Sequence, residues 1–263
     1  MVRGVEKVLL IQEQMSKNRI IVETDSKKNL CAQVTSSTTE RQTITTMLLK
    51  NEKFYLKHNS FSEDIPIVVA FKAMGVECDQ EIAQLIGTEP QYLEVIALSL
   101  QECSMLKVLT KKSALDYISE KTKGAKKSGQ KSKVEEAKEI METLIVSHVP
   151  CSKENFFPKA RYLALMIRRI VEAKHDSSKL DDRDYYGNKR LELAGALISL
   201  LFQDLFKKFT FDLEKDIERN LPKQRRREEF DAISCIRQDA LTMGLENAIA
   251  TGNWSLKRFK MER

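Results

Sequence analysis

Short apolar runs divided by polar turns fill the first third of the chain, and longer stretches with helical spacing fill the rest. Residues 5–12, 19–23, 32–36, 44–49 and 54–56 are rich in β-branched and aromatic side chains, with breaks such as Asp25-Ser26-Lys27-Lys28-Asn29 between them. This pattern predicts strands, and the short connections predict antiparallel pairing. From Pro66 the period changes. Proline suits a first helical turn, an apolar run over 67–74 follows, and Gly75 is a stop signal. Asp79 is expected to cap a second short helix ending at Gly87, Thr88 or Glu89 precedes Pro90 at the start of a third, and 113–122 is a fourth. Val134, Ala137, Met141, Leu144 and Ile145 share one helical face, as do Phe156, Ala160, Leu163, Ile167 and Ile170. The longest helix is expected over 189–219. Its stripe of Leu191, Ala194, Ile198, Leu201, Leu205, Phe209 and Leu213 is wide enough to pack on more than one side. The predicted fold class is α+β: short antiparallel strands first, then a predominantly helical region and a long helix. No repeat at a solenoid period is visible.

Composition narrows the class. The 263 residues suffice for two compact units. With 42% hydrophobic and 31% charged residues a buried core is expected rather than wholesale disorder, and only 9 Gly and 5 Pro favour helix over a sandwich of short strands. The net charge of +6 permits contact with nucleic acid without demanding it. Five cysteines, at 31, 78, 103, 151 and 235, never fall at C-x-x-C spacing, and the three histidines, 58, 148 and 175, are as scattered. Reduced thiols in a cytosolic or nuclear protein, without a zinc site, are the expectation. Charges interrupt the apolar run of MVRGVEKVLLIQEQ, which is therefore not read as a signal sequence. No apolar run approaches the length of a membrane-spanning helix.

Three motifs carry possible chemistry. Gly124, Gly129, Lys131 and Ser132 imitate a phosphate-binding loop, but Gln130 makes the spacing one residue too long and no strand feeds the loop. The lysine-rich stretch 121–133 is read instead as a solvated loop. Asn253-Trp254-Ser255 is a glycosylation sequon without a secretory context, and Trp254 is read as a packing anchor. The segment KLDDRDYYGNKRLELAG (179–195) stands apart, with Asp181, Asp182 and Asp184 ahead of Gly187, and Asn188, Lys189 and Arg190 expected to open the long helix. Chemistry alone favours a capped, salt-bridged corner. A polar pocket whose carboxylate meets a base edge while the cations hold phosphate stays open. A metal site ranks last, because Arg183, Lys189 and Arg190 neutralise the carboxylates.

Those residues also carry a resemblance. DDRDYYGNKRLELAG (181–195) resembles the D-D-x-D-x-x-G-x-[KR]-R segment of second-largest subunits of multisubunit RNA polymerases. In the same order as in that family, GVEKVLLIQEQMSKNRIIVE (4–23) resembles its G-x-E-K-V strand pair, EDIPIVVAFKAMGV (63–76) its lobe helix, and ATGNWSLKRFKMER (250–263) its A-T-G-N-W segment. The four matches span essentially the whole chain. Tyr185-Tyr186-Gly187-Asn188 and the residues after Trp254 are most similar to the RNA polymerase III version. The equivalent polymerase II subunit is the alternative, as are a free-standing interaction module derived from the lobe and an unrelated enzyme using the acidic cluster.

The resemblance implies an internal fragment: 1–22 the end of the first protrusion segment, 23–187 the lobe, 188–245 a helical return to the protrusion, 246–263 the start of the fork. It implies one wall of a DNA cleft in a nuclear, DNA-directed nucleotidyltransferase, with the catalytic residues elsewhere. No cofactor is implied here; the magnesium ions are bound by the largest subunit, and the zinc site of the full subunit falls outside this stretch. The implied partners are the largest and other polymerase subunits, a TFIIF-like heterodimer on the lobe, and DNA, with no membrane. By the same resemblance Asp184, Lys189 and Arg190 face the non-template strand, since the bacterial counterparts of Asp184 and Lys189 hold a guanine. Lys189 stands where the bacterial relative has arginine, and an ammonium cannot make the two parallel hydrogen bonds of a guanidinium.

Overall fold

The computed structural model describes residues 1–38, 41–123, 132–151, 155–220 and 233–252. Along these run β1 (Gln12–Met15), β2 (Ile20–Thr24), β3 (Leu30–Ser37), β4 (Gln42–Lys50), β5 (Lys53–Lys57), β6 (Ile65–Pro66), α1 (Ile67–Ala73), α2 (Asp79–Ile86), α3 (Pro90–Met105), α4 (Lys111–Lys121), α5 (Lys133–Thr143), α6 (Phe157–His175), β7 (Lys189–Glu192), α7 (Ala194–Asn220) and α8 (Ala240–Thr251). The α+β class and the antiparallel pairing are as expected. Two compact units form: one holds Ser16–Asn188, the other joins Met1–Met15 to the described residues from Lys189 onward.

In the larger unit β2 to β6 form a meander in sequence order, every pair antiparallel. The register aligns Val22 with Ala32, Ala32 with Met47, Met47 with Leu56 and Leu56 with Ile65, all buried, so one face of the sheet is a continuous apolar row. Helix α6 covers β2, β3 and β4, and α3 packs on β5. The 3.6-residue period puts Ala160, Leu163, Ala164, Ile167, Ile170 and Val171 of α6 on one buried face, where each Leu, Ile or Val contributes up to about 1.5–3 kcal/mol. Helix α1 is buried on every side, as its apolar sequence, interrupted only by Lys72, requires. Its one charge, Lys72, is buried and paired with Asp79 Oδ1 at 2.9 Å.

Lys159, at the start of α6, is fully buried. Its Nζ donates to the carbonyls of Met141 (3.2 Å), Glu142 (2.5 Å) and Ile145 (2.7 Å), at the C-terminal end of α5 and just beyond it. Helix ends leave such oxygens without intrahelical partners, and a cation there also opposes the helix dipole. Burial nevertheless pushes the ammonium pKa down to about 8.

The structure corrects three local expectations. Residues 5–11 are not a strand: Val2 and Val5 form an isolated bridge, Val8, Leu10 and Ile11 are exposed, and β1 begins only at Gln12, where β7 supplies a partner ladder. Asp79 is the first residue of α2 rather than its cap; Cys78 holds the cap position without a side-chain hydrogen bond, and the Asp79 carboxylate is turned to Lys72. Lys189 and Arg190 do not open the long helix. They lie in β7, opposite Met15 and Gln14, and the helix starts at Ala194. Ser132 caps α5 through a reciprocal pair with Glu135, but the rest of the loop-like motif, 124–131, lies outside the described residues, as do Asn253, Trp254 and Ser255.

In the smaller unit β1 and β7 form a two-stranded ribbon and α8 packs on α7. Gly244 permits that approach, since a Cβ there would lie 2.7 Å from Leu205 Cδ2. Little is buried: Leu197, Leu201 and Ala248 are, whereas Ile198, Phe202, Phe206 and Phe211 on α7 are exposed. Of the expected stripe, Leu201 is buried and Ala194, Leu205, Phe209 and Leu213 are half-buried, while Ile198 is exposed and Leu191 lies in β7; Phe202, Phe206 and Phe211 belong to positions beside the stripe.

His58 generates a pH prediction. It is buried after β5, its Nδ1 accepts from the Ser60 N–H at 3.1 Å, and its ring meets Phe61 edge-on. Burial, with Lys123 adding to it, pushes its pKa down from 6.5 to about 4. Below pH 6.5 the unfolded chain takes up a proton that the folded chain refuses, so stability is full above that pH and falls as pH drops towards 4. The loss from this residue is about 3 kcal/mol. Denaturant unfolding at pH 7 and pH 4 should show it, and His58→Gln should flatten the slope; His148, also lowered by burial, leaves a residual.

Candidate nucleic-acid interface

The acidic segment singled out by sequence is an exposed corner tied down by its own backbone. After α6 the chain passes a 3-10 turn at Ser177–Lys179 and reaches the free edge of β2. There the Asp181 N–H donates to the Val22 carbonyl at 2.8 Å, and Asp181 Oδ2 accepts from the Val22 N–H at 2.9 Å. One residue thus satisfies both outward backbone groups of Val22, which would otherwise stand open at the strand edge. Arg183 grips Glu23 with both ends of its guanidinium and reaches Gln33 Oε1 at 3.3 Å; the Glu23 carboxylate holds the guanidinium pKa above its usual range.

Asp182 forms the turn. Its Oδ1 accepts from the Asp184 N–H at 2.8 Å and its carbonyl accepts from Asn188 Nδ2 at 2.6 Å. Asp and Asn make such local turns because their short side chains reach backbone groups two residues on. Asn188 is buried, its N–H donates to Tyr185 and its carbonyl accepts from the Ser16 N–H at 2.8 Å. These bonds hold Asp184, Tyr185 and Tyr186 outward in solvent. Gly187 fits the turn because a Cβ there would lie 2.5 Å from Tyr185 Cε1.

Asp184 belongs to the larger unit; Lys189 and Arg190 begin the smaller one. On β7 Lys189 Nζ pairs with Glu13 Oε1 at 2.8 Å, and Arg190 Nη1 donates to the Lys189 carbonyl at 2.7 Å. Among the described residues no group of three or more His, Cys, Asp or Glu side chains could hold a metal ion. Asp181 and Asp182 are committed to backbone N–H groups instead. No helix among the described residues is long and apolar enough to cross a membrane.

One grouping was not visible in the sequence. Arg19, Arg169 and Lys179 line a single pocket beside β2, although Arg19 is far from the other two along the chain. No spacing rule links them; only the docking of α6 on the sheet brings them together.

Comparison with known proteins adds a lineage to this geometry. A family model described as RNA polymerase Rpb2, domain 2, matches residues 16–192, more than half of the chain, starting at the first residue of the larger unit. The chain belongs to that family. Among curated relatives of this Rpb2 domain, the DNA-directed RNA polymerase III subunit rpc2 of Dictyostelium discoideum is 52% identical over 266 residues, covering 100% of this chain and 16% of the relative. The corresponding subunit of Schizosaccharomyces pombe is 50% identical, covering 100% of this chain and 23% of its own length. The polymerase subunit Rpo2 of the archaeon Saccharolobus solfataricus is 31% identical over 96% of the chain and 22% of its own. The chain therefore spans under a quarter of the length of these relatives.

The corner separates two energetic classes. Asp181→Ala leaves a strand-edge N–H without its acceptor and should cost about 1–2 kcal/mol. Arg183→Ala removes a solvent-facing pair and should cost less than about 1 kcal/mol. Denaturant titration of the two variants side by side should rank them in that order; equal losses would contradict the backbone role of Asp181.

Proposed function

We propose that this chain is a segment of the second-largest subunit of nuclear DNA-directed RNA polymerase III, where it forms part of one wall of the DNA cleft. The observation that carries the reading is that identity to the polymerase III subunits of Dictyostelium, Schizosaccharomyces and Drosophila, at 47–52%, extends over 100% of the chain, against 31% for the archaeal subunit. The smaller unit supports it physically. Val8 is 88% exposed, and Phe202, itself exposed, stacks on the equally exposed Phe206 at 5.9 Å. Exposed apolar clusters of this kind mark surfaces that another chain segment or subunit covers.

In this reading nucleotidyl transfer belongs to the assembled enzyme, whose metal-bound step lies in another subunit, and the segment is architectural. Its partners are the largest subunit and the rest of the polymerase, with a TFIIF-like heterodimer on the larger unit. Tagged in its native gene, the chain should co-purify with the largest subunit of polymerase III and not with that of polymerase II. Isolation free of polymerase subunits would overturn the assignment in favour of a free-standing interaction module.

Asp184, Lys189 and Arg190 are proposed to face the non-template DNA strand. Asp184 stands on the exposed corner, where its carboxylate suits the donor edge of a guanine. Lys189, paired with Glu13, and its neighbour Arg190 bring the positive charge that suits phosphate. Asp184→Ala in assembled polymerase should preserve subunit composition and change crosslinking of the non-template strand near the bubble. Unchanged crosslinking together with unchanged bubble stability would reduce the corner to a structural role.

A further inference from the structure

The pocket beside the free edge of β2 has a volume of about 280 Å³ and is lined by Arg19, Val22, Arg169, Glu172, Lys179 and Asp181. Every lining residue belongs to the larger unit. Its lining carries three cations and two carboxylates, one positive charge in excess. Asp181 keeps its charge while Oδ2 accepts from the Val22 N–H, and Glu172 pairs with Lys179 Nζ at 3.5 Å and accepts from the Tyr92 hydroxyl at 3.4 Å. The two guanidiniums are in a different position. Arg19 Nη1 donates to the Gly187 carbonyl and Arg169 Nη1 to the Ile20 carbonyl, each at 3.3 Å. Among the described residues neither forms an ion pair.

A carbonyl orients a guanidinium without neutralising it. Each arginine is thus fixed through one nitrogen while its other N–H groups remain to donate, the fork that suits a phosphate oxygen pair. Both line one strand-edge pocket, Arg19 anchored to the corner at Gly187 and Arg169 reaching the strand from α6. Pre-fixing long side chains removes much of the rotamer entropy that binding would otherwise lose.

We infer that this pocket binds a phosphate group of a nucleic-acid backbone, held between Arg19 and Arg169, with Lys179 at its margin. The inference deepens the proposed function and rests on it only for which nucleic acid is bound; the pocket itself stands on the geometry of the larger unit. It needs no base contact, so it predicts affinity without sequence preference and with strong salt dependence.

The test uses the purified full chain and a fluorescein-labelled single-stranded DNA oligonucleotide, read by anisotropy over a salt series. The double variant Arg19→Gln/Arg169→Gln should weaken binding about 5–20-fold and lower the slope of log affinity against log salt by about 1–2. Arg161→Gln/Arg168→Gln, on exposed positions of the same helix outside the pocket, should leave both values unchanged. If the glutamine pair fails to fold, Arg19→Lys/Arg169→Lys decides: it keeps the charge but loses the fork, so binding should weaken about 2–5-fold with the salt slope retained. An unchanged affinity in the pocket variants, or an equal loss in the Arg161/Arg168 control, overturns the site. Displacement of the oligonucleotide by inorganic phosphate at equal concentration overturns the backbone assignment in favour of free phosphate. Tighter binding of a phosphoserine peptide than of the oligonucleotide overturns it in favour of a protein ligand. Because no polymerase subunit is present, failure here leaves the co-purification result untouched.

Discussion

The apolar contact between α6 and the face of the five-stranded sheet is the constraint on which the larger unit depends. Ala160, Leu163, Ala164, Ile167, Ile170 and Val171 are buried along one side of the helix, against the row that runs from Val22 through Ala32 and Met47 to Leu56. That burial fixes the helix in position and rotation, and its polar residues then act at defined places. Lys159 meets the carbonyls that end α5, Lys174 reaches Glu52 at the β4–β5 turn, and Arg169 holds the carbonyl of Ile20. Rotating the helix by one residue would move about 100° of surface and lose all three. The apolar seam supplies the energy and the polar contacts supply the register.

From the same helix the chain leaves towards the corner. Asp181 ends up beside Val22 because α6 ends near the sheet edge, and its two hydrogen bonds close an edge that the meander leaves open. An edge closed by a single residue still leaves room beside it, and the carbonyl-anchored arginines occupy that room. Packing, edge protection and charge presentation are successive consequences of one helix docking.

The smaller unit obeys the same physics with a different outcome. Among its described residues a ribbon and α8 are what accompanies the 27-residue α7, and Phe202, Phe206 and Phe211 are exposed. The stripe through Leu201, Leu205, Phe209 and Leu213 was legible in the sequence and is buried or half-buried. The exposed phenylalanines beside it were not part of that reading, because periodicity reports which residues share a face and not whether anything covers it.

The sequence by itself determined the class of fold and most of its elements. The β-branched and aromatic runs over 19–23, 44–49 and 54–56 and the Pro66 and Pro90 helix starts are local signals whose cause lies within a few residues. The four ordered motifs carried the family, since long matches depend on residue identity alone. Tertiary structure decided the rest. Residues 5–11 read as a strand, but a strand needs a partner ladder, and β7 meets the chain only from Gln12 onward. Lys189 and Arg190 read as helical for the converse reason: their pairing with Met15 and Gln14 is non-local and overrides local preference. Likewise, three aspartates in four positions look like one acidic cluster in the sequence. Folding gave Asp181 to Val22 and Asp182 to the turn, and left Asp184 facing outward, because the partners that divide them lie either on a strand about 160 residues away or on backbone groups that exist only once the corner has closed.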